Sequence, residues 1–197
     1  MPNQSRIILV STKTLSKVIY IFRLNNYAHS TLTFDDELQK VTGYAKINKH
    51  ADNADFMHAV SDISSMYEGQ VTVAKRGVAI KNNSYVVVRD EIETLDKPTV
   101  MRWNMPTPAN VELTDTGAIF TKDGKTLYLK VQGAKNLKMK TWSTQPTTDY
   151  DAENPGTIMV GFECKLPANS KQNFEVLLIP ESAKQSADFL NKELSEW

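Results

Sequence analysis

In Ile119-Phe120-Thr121-Lys122-Asp123-Gly124-Lys125-Thr126-Leu127-Tyr128-Leu129-Lys130-Val131, two strand-forming runs flank an Asp-Gly pair. Aspartate and glycine both tolerate positive φ, so the pair closes a tight hairpin between antiparallel strands. The same logic works outward from here. Asn82-Asn83 separates residues 78–80 from 85–88, and Asp115-Thr116-Gly117 separates 111–113 from 119–120. Asparagine supplies the left-handed conformation that such turns need. Tyr85-Val86-Val87-Val88 is apolar at every position, the pattern of a central strand covered on both faces. Repeated short strands with turns of this kind predict an all-β fold, an antiparallel β-sandwich.

The remaining segments extend that reading. Residues 18–22 form a compact β-branched and aromatic run, and residues 31–34 alternate. Residues 39–47 predict a strand with Gly43 at a bulge, 48–55 a polar loop, and 56–67 a further strand. Residues 149–155 read as a turn-rich loop, 157–162 and 174–179 as the last strands, and Pro180 ends the sheet. Ser182 and Gln185 fit a capping box. It predicts one C-terminal helix over about residues 182–196, docked through Phe189, Leu190, Leu194 and Trp197. The expected organisation is a single sandwich domain over residues 1–197, with about residues 1–17 unplaced.

Composition narrows the function classes. The chain has 197 residues, with 23 Lys+Arg against 23 Asp+Glu. Zero net charge argues against a dedicated nucleic-acid binder. A single cysteine, Cys164, excludes an intramolecular disulfide. No run is apolar for long enough to span a bilayer, and Ile7-Ile8-Leu9-Val10 is too short for a signal-peptide core. Neither a phosphate-binding glycine loop, nor a nucleophile elbow, nor a dinucleotide fingerprint occurs.

A few residues carry possible chemistry. The three histidines His29, His50 and His58 lack metal-pair spacing. Asp52 and Asp55 near His50 and His58 read first as solvated loop residues. Lys122, Lys125, Lys130, Lys135, Lys138 and Lys140 make a basic segment opposed only by Asp123. Its plain reading is a solvated sheet face, and its functional reading a polyanion-facing surface. Trp103, within Val100-Met101-Arg102-Trp103, reads as core, whereas Trp142, between Thr141 and Ser143, reads as a sugar-stacking residue. Arg89-Asp90-Glu91 reads as a strand-end ion-pair network.

Arg23-Leu24-Asn25-Asn26-Tyr27-Ala28-His29-Ser30-Thr31-Leu32-Thr33-Phe34 places a histidine between a polar turn and an alternating strand. Ala28-His29-Ser30-Thr31-Leu32 resembles a strand motif of the heparinase II/III-like polysaccharide lyases. Val73-Ala74-Lys75-Arg76-Gly77-Val78, Tyr85 to Ile92 and Val100 to Asn104 follow in the order of that family. The resemblance covers about residues 18–131. It implies the C-terminal β-sandwich part of an enzyme that cleaves acidic, uronate-containing glycans by β-elimination. It further implies a periplasmic or secreted setting and His29 as one ligand of a bracing zinc. The other ligands of that zinc come from an upstream His-x-His motif and aspartate that this sequence does not supply, so the site here is incomplete. The family's catalytic residues lie mainly on an N-terminal helical domain and the start of the central domain, so none transfers to this chain, which is expected to be inactive alone. Acidic polysaccharide and the missing N-terminal helical and central domains are the implied partners, with no nucleic acid and no membrane. Lys135, Lys138, Lys140 and Trp142 are the candidate substrate-binding residues. A free-standing carbohydrate-binding module is the alternative; a lyase built on His29 and a nearby tyrosine ranks third.

Overall fold

The computed structural model describes residues 21–133, 135–146 and 148–197. Its strands are β1 (Thr31–Phe34), β2 (Lys46–Ala51), β3 (Phe56–Asp62), β4 (Val71–Lys81), β5 (Tyr85–Thr94) and β6 (Thr99–Thr107). They continue as β7 (Asn110–Thr114), β8 (Gly117–Lys122), β9 (Lys125–Gln132), β10 (Lys138–Ser143), β11 (Ile158–Leu166) and β12 (Lys171–Pro180). A four-stranded sheet runs β1-β6-β11-β10 and an eight-stranded sheet runs β2-β3-β4-β5-β12-β9-β8-β7. Every pairing is antiparallel.

The turns carry the geometry that their residues predict. Asn82 and Asn83 both sit at positive φ between β4 and β5, and Asp123 and Gly124 do so between β8 and β9. The expected all-β sandwich follows. Leu32, Phe34, Trp103 and Phe162 of the small sheet close on Ile92, Leu129, Phe174 and Val176 of the large one. Trp103 is core, as its sequence neighbours suggest. Arg76 of β4 ties the two sheets at their margin. It is paired to Asp90 through two hydrogen bonds of 2.7 and 2.9 Å and donates to the Ser30 carbonyl at 2.9 Å.

Several local expectations are corrected. Of the run at residues 18–22, residues 18–20 lie outside the described residues, as do residues 1–17, and Phe22–Leu24 is a 3-10 turn. Residues 38–45 form no strand, and β2 occupies part of the expected loop at 48–55. Gly43 is not a bulge. A Cβ there would lie 2.6 Å from the Met66 Cα, so the residue serves a close approach to the turn Ser64–Tyr67. Arg89, Asp90 and Glu91 lie inside β5 rather than at its end. Burial in the middle of a sheet makes their pairing obligatory, not decorative.

The C-terminal helix is absent. Only the short 3-10 turns Glu181–Ala183 and Leu194–Glu196 form there. The backbone N–H groups that a helix would bond internally are taken by carboxylates of the sheet. Glu175 accepts from Leu190 and Asn191, and Glu91 accepts from Leu194 at 2.7 Å. Arg89 holds both carboxylates, at 3.1 Å each. The expected docking does occur: Leu194 and Trp197 are buried against Val60, Ala79, Val87 and Ile179, with Phe189 and Leu190 half-buried beside them. Gly77 leaves the socket, for a Cβ there would lie 2.3 Å from Leu194 Cδ2 and 2.7 Å from Trp197 Cζ3. The strand β5 is thereby covered on both faces, as its unbroken apolar run predicts.

Cys164 faces the core of β11, where burial pushes its thiol up to about 12. A neutral, enclosed thiol is a poor nucleophile. Iodoacetamide at about pH 8 is therefore expected to leave Cys164 unmodified in the native protein and to alkylate it readily in denaturant. Fast labelling without denaturant, read by mass spectrometry, would contradict this closed core.

Candidate functional site

The outer face of the small sheet presents three cross-strand rows. Lys138, Glu163, Arg102 and Thr33 align in the first, and Lys140, Gly161, Asn104 and Thr31 in the second. Trp142, Met159 and Pro106 form the third. Directly opposed residues share a face of a sheet, so these side chains stand together. The middle row is sunken at Gly161, where a Cβ would fall 1.8 Å from the Trp103 carbonyl oxygen.

Two loops raise walls around this floor. Asn26 staples the turn Asn26–Ala28 against the chain after β1. It donates to Thr33 Oγ1 at 2.8 Å and accepts from the Gln39 N–H at 3.0 Å. That places Tyr27, whose hydroxyl donates to the Asp36 carbonyl. Asp35 and Asp36 both adopt positive φ, which short polar side chains tolerate. Asp35 grips the start of β6 by accepting from Thr99 and the Val100 N–H, each at 2.7 Å. Asp36 then reaches Arg102 at 2.7 Å. The other wall is the loop after β10, knotted by Thr144 and Asn154. Phe22 is tied to it through its N–H, which donates to Asp151 Oδ2 at 3.0 Å.

Between the walls lies a cavity of about 330 Å³, lined by Phe22, Tyr27, Asp36, Arg102, Asn104, Trp142, Ser143, Gln145 and Met159. The Arg102 guanidinium sits 4.7 Å from the centre of the Trp142 ring. Arg102 also bonds Glu163 Oε1, and Lys140 bonds the other oxygen of that carboxylate. Burial alone would raise the Glu163 carboxyl, but the bonds from Lys140 and Arg102 outweigh it and hold it below its usual range. Because this folded-state value is depressed, the Lys140–Glu163–Arg102 pairing persists above the ordinary glutamate range and is lost as the pH falls through the lowered value. Asn104 is 1% exposed. Its amide nitrogen donates to the His29 carbonyl at 2.8 Å, while its buried Oδ1 has no partner among the described residues.

The residues singled out from sequence fare unequally. Trp142 lines the cavity, with one ring face taken by Arg102. Lys138 and Lys140 stand on the same sheet face beside it, and Lys135 is exposed in the preceding turn. The other lysines of the basic segment, Lys122, Lys125 and Lys130, belong to the large sheet. His29 is exposed between the turn Asn26–Ala28 and β1, and its backbone carbonyl is what anchors Asn104. Among the described residues no three histidine, cysteine, aspartate or glutamate side chains converge as a metal site. Tyr27, Asp36, Arg102 and Asn104 were not foreseen as a group. Their only sequence signal is that Arg102 and Asn104 alternate with core residues on one strand. A broader concavity of about 560 Å³ beneath the C-terminal segment is crossed by internal pairs such as Lys171–Glu93.

No family model matches the chain. No curated protein matches it either. Solved structures do. A heparan sulfate lyase from Pedobacter heparinus superposes with a TM-score of 0.68 at 17% identity, over 87% of this chain and 26% of that one. A heparinase III gene product matches with a TM-score of 0.66 at 16% identity, over 95% of this chain and 30% of that one. A further heparinase III structure gives 0.63 at 16% identity, over 85% of this chain and 26% of that one. The chain has the fold of part of a heparinase III. At this identity the likeness fixes the architecture alone. The chain spans under a third of the length of these heparinase structures, so other parts of those enzymes have no counterpart in it.

Proposed function

We propose that this chain is the C-terminal β-sandwich part of a heparinase II/III-like polysaccharide lyase, enzymes that act on acidic, uronate-containing glycans by β-elimination. It backs the catalytic domains, is inactive alone, and works in the periplasm or outside the cell. The observation that carries the reading is the outer face of the small sheet. There Trp142 and a shaped cavity stand beside Lys138 and Lys140, on a fold shared with heparinase III. In this reading Lys135, Lys138 and Lys140 face the acidic groups of the glycan and Trp142 supports a sugar ring. His29 would give a shared zinc a single ligand. The described residues do not fit a complete zinc centre.

A cavity lined by Tyr27, Arg102 and Trp142 of this chain favours a second reading as a free-standing carbohydrate-binding module. Binding and turnover measured together separate the possibilities. The purified chain is expected to bind heparin-type polysaccharide with an affinity that falls as salt rises, because exposed lysines are screened. Trp142→Ala should weaken that binding roughly tenfold, about 1.4 kcal/mol. No unsaturated uronate product should appear by ultraviolet absorbance. Salt-independent binding, or none, defeats the glycan reading, and product formation by the chain alone defeats its supporting role.

A further inference from the structure

We infer that a slot between the ends of β6, β8, β9 and β12 binds an amphipathic anion, a medium-chain carboxylate with its apolar tail inside and its head on Lys125. The inference is independent of the glycan reading. It gives a task to Lys122 and Lys125, the two lysines of the basic segment that line the slot and that the glycan reading leaves aside.

The slot has a volume of about 450 Å³, within the range of small-ligand cavities. Met105 of the small sheet and Phe120 and Leu127 of the large one line it, and all three also belong to or pack against the core between the sheets. Pro108, Ala109 and Pro180 complete the apolar lining. The buried hydroxyl at its edge is already engaged, for Thr107 Oγ1 accepts from the Ala109 N–H at 3.2 Å. None of the buried polar atoms left unpaired among the described residues belongs to the lining. Such a wall gives a polar ligand little in exchange for its hydration, so it selects an apolar body.

Charge selects the other end of the ligand. Lys122 and Lys125 are directly opposed across the hairpin, on the same face as Phe120 and Leu127. Like charges so placed repel. Asp123 answers Lys122 at 3.1 Å, whereas Lys125 enters no ion pair among the described residues. An exposed cation thus stands uncompensated beside an apolar slot. A carboxylate head there relieves the repulsion while its tail fills the slot. A neutral amphiphile would leave Lys125 unanswered, and a cationic one would add a third like charge.

The test titrates the whole chain with decanoate, decanol and decyltrimethylammonium, which share a tail and differ in charge. Working at about pH 7.5 keeps the carboxylate ionised. Amide chemical shifts follow binding. Decanoate is expected to move the signals of residues 105–109 and 120–127, to bind about fivefold more tightly than decanol, and to lose that advantage in high salt. Decyltrimethylammonium should bind more weakly than either. Butanoate should bind at least about tenfold more weakly than decanoate, since it leaves most of the slot unfilled. Lys125→Gln, at an exposed position, should bring decanoate down to the decanol level. Ala109→Leu, which fills the slot and leaves both lysines in place, should weaken all the decyl compounds at least about tenfold. Equal affinity for the three head groups, or decanoate binding that survives Ala109→Leu in a folded variant, overturns the inference. So does a shift of the same signals on raising the protein concentration alone, which would make a second copy of the chain the occupant. Heparin binding should persist in Lys125→Gln and in the presence of decanoate, so the failure of either reading leaves the other standing.

Discussion

Asp90→Ala is expected to destabilise the protein by about 3–5 kcal/mol, because it strands a buried guanidinium. Asp90 is fully buried and receives both hydrogen bonds from Arg76, whose side chain is itself mostly enclosed. Burial disfavours the Arg76 charge, and Asp90 outweighs that effect, holding the guanidinium above its ordinary value. With Asp90 gone, the Ser30 carbonyl is the one hydrogen-bond partner left to Arg76 among the described residues. A loss of this size is a large part of the 5–15 kcal/mol typical of a folded domain. Urea unfolding measures it directly. Replacing Arg76 and Asp90 together with leucine should recover much of the loss, since an apolar pair leaves no charge unpaired. A single variant that loses under about 1 kcal/mol would mean that Arg76 finds another acceptor and that the pair is not what joins the sheets here.

The second large effect concerns the C-terminal segment. Trp197→Ala removes a buried indole that meets Phe56 edge-on with ring centroids 5.2 Å apart. The expected cost is about 3 kcal/mol, the lower end for a large aromatic, since the half-buried Phe189 and Leu190 beside it can partly collapse onto the gap. Gly77→Val should reach a similar loss from the other side. Valine suits a strand, yet its side chain would occupy the space of Leu194 and Trp197. Both variants should expose Phe56 and Val60 and increase dye binding by the native state. If Gly77→Val proves neutral in a thermal melt, the segment is not seated against β4 in solution.

Sequence reached the sheets more easily than the site. The Asn82-Asn83 and Asp123-Gly124 turns declare themselves because only a few residues accept their backbone angles. The alternation of Leu32 and Phe34 with threonine likewise marks a strand with one core face. The C-terminal segment misled because Ser182 and Gln185 do fit a helix start. What prevents a helix is long-range: Glu175 and Glu91 claim its N–H groups from strands distant in the chain. Trp142 was legible as an isolated aromatic on a polar strand. Asn104 was not, because its meaning depends on a carbonyl at His29 and on neighbours from β10 and β11. Such convergence is a property of register, which a single strand does not encode. The lysine segment shows the same effect in reverse, for consecutive lysines were dealt to different sheets.

The order of strands also sets an order in time. The large sheet grows by hairpins, with β3, β4 and β5 adjacent in both sequence and space, and β7, β8 and β9 likewise. The small sheet has only one neighbour pair separated by a single loop, β10 and β11, while β6 must find β1 and β11 across long spans of chain. Closing such spans costs entropy before any contact rewards it, so local hairpins form first. Tyr27, Asn104, Trp142 and Met159 meet only when those late pairings are made. The cavity therefore forms only after long-range pairing, and its presence reports that β1, β6, β10 and β11 have reached their native arrangement.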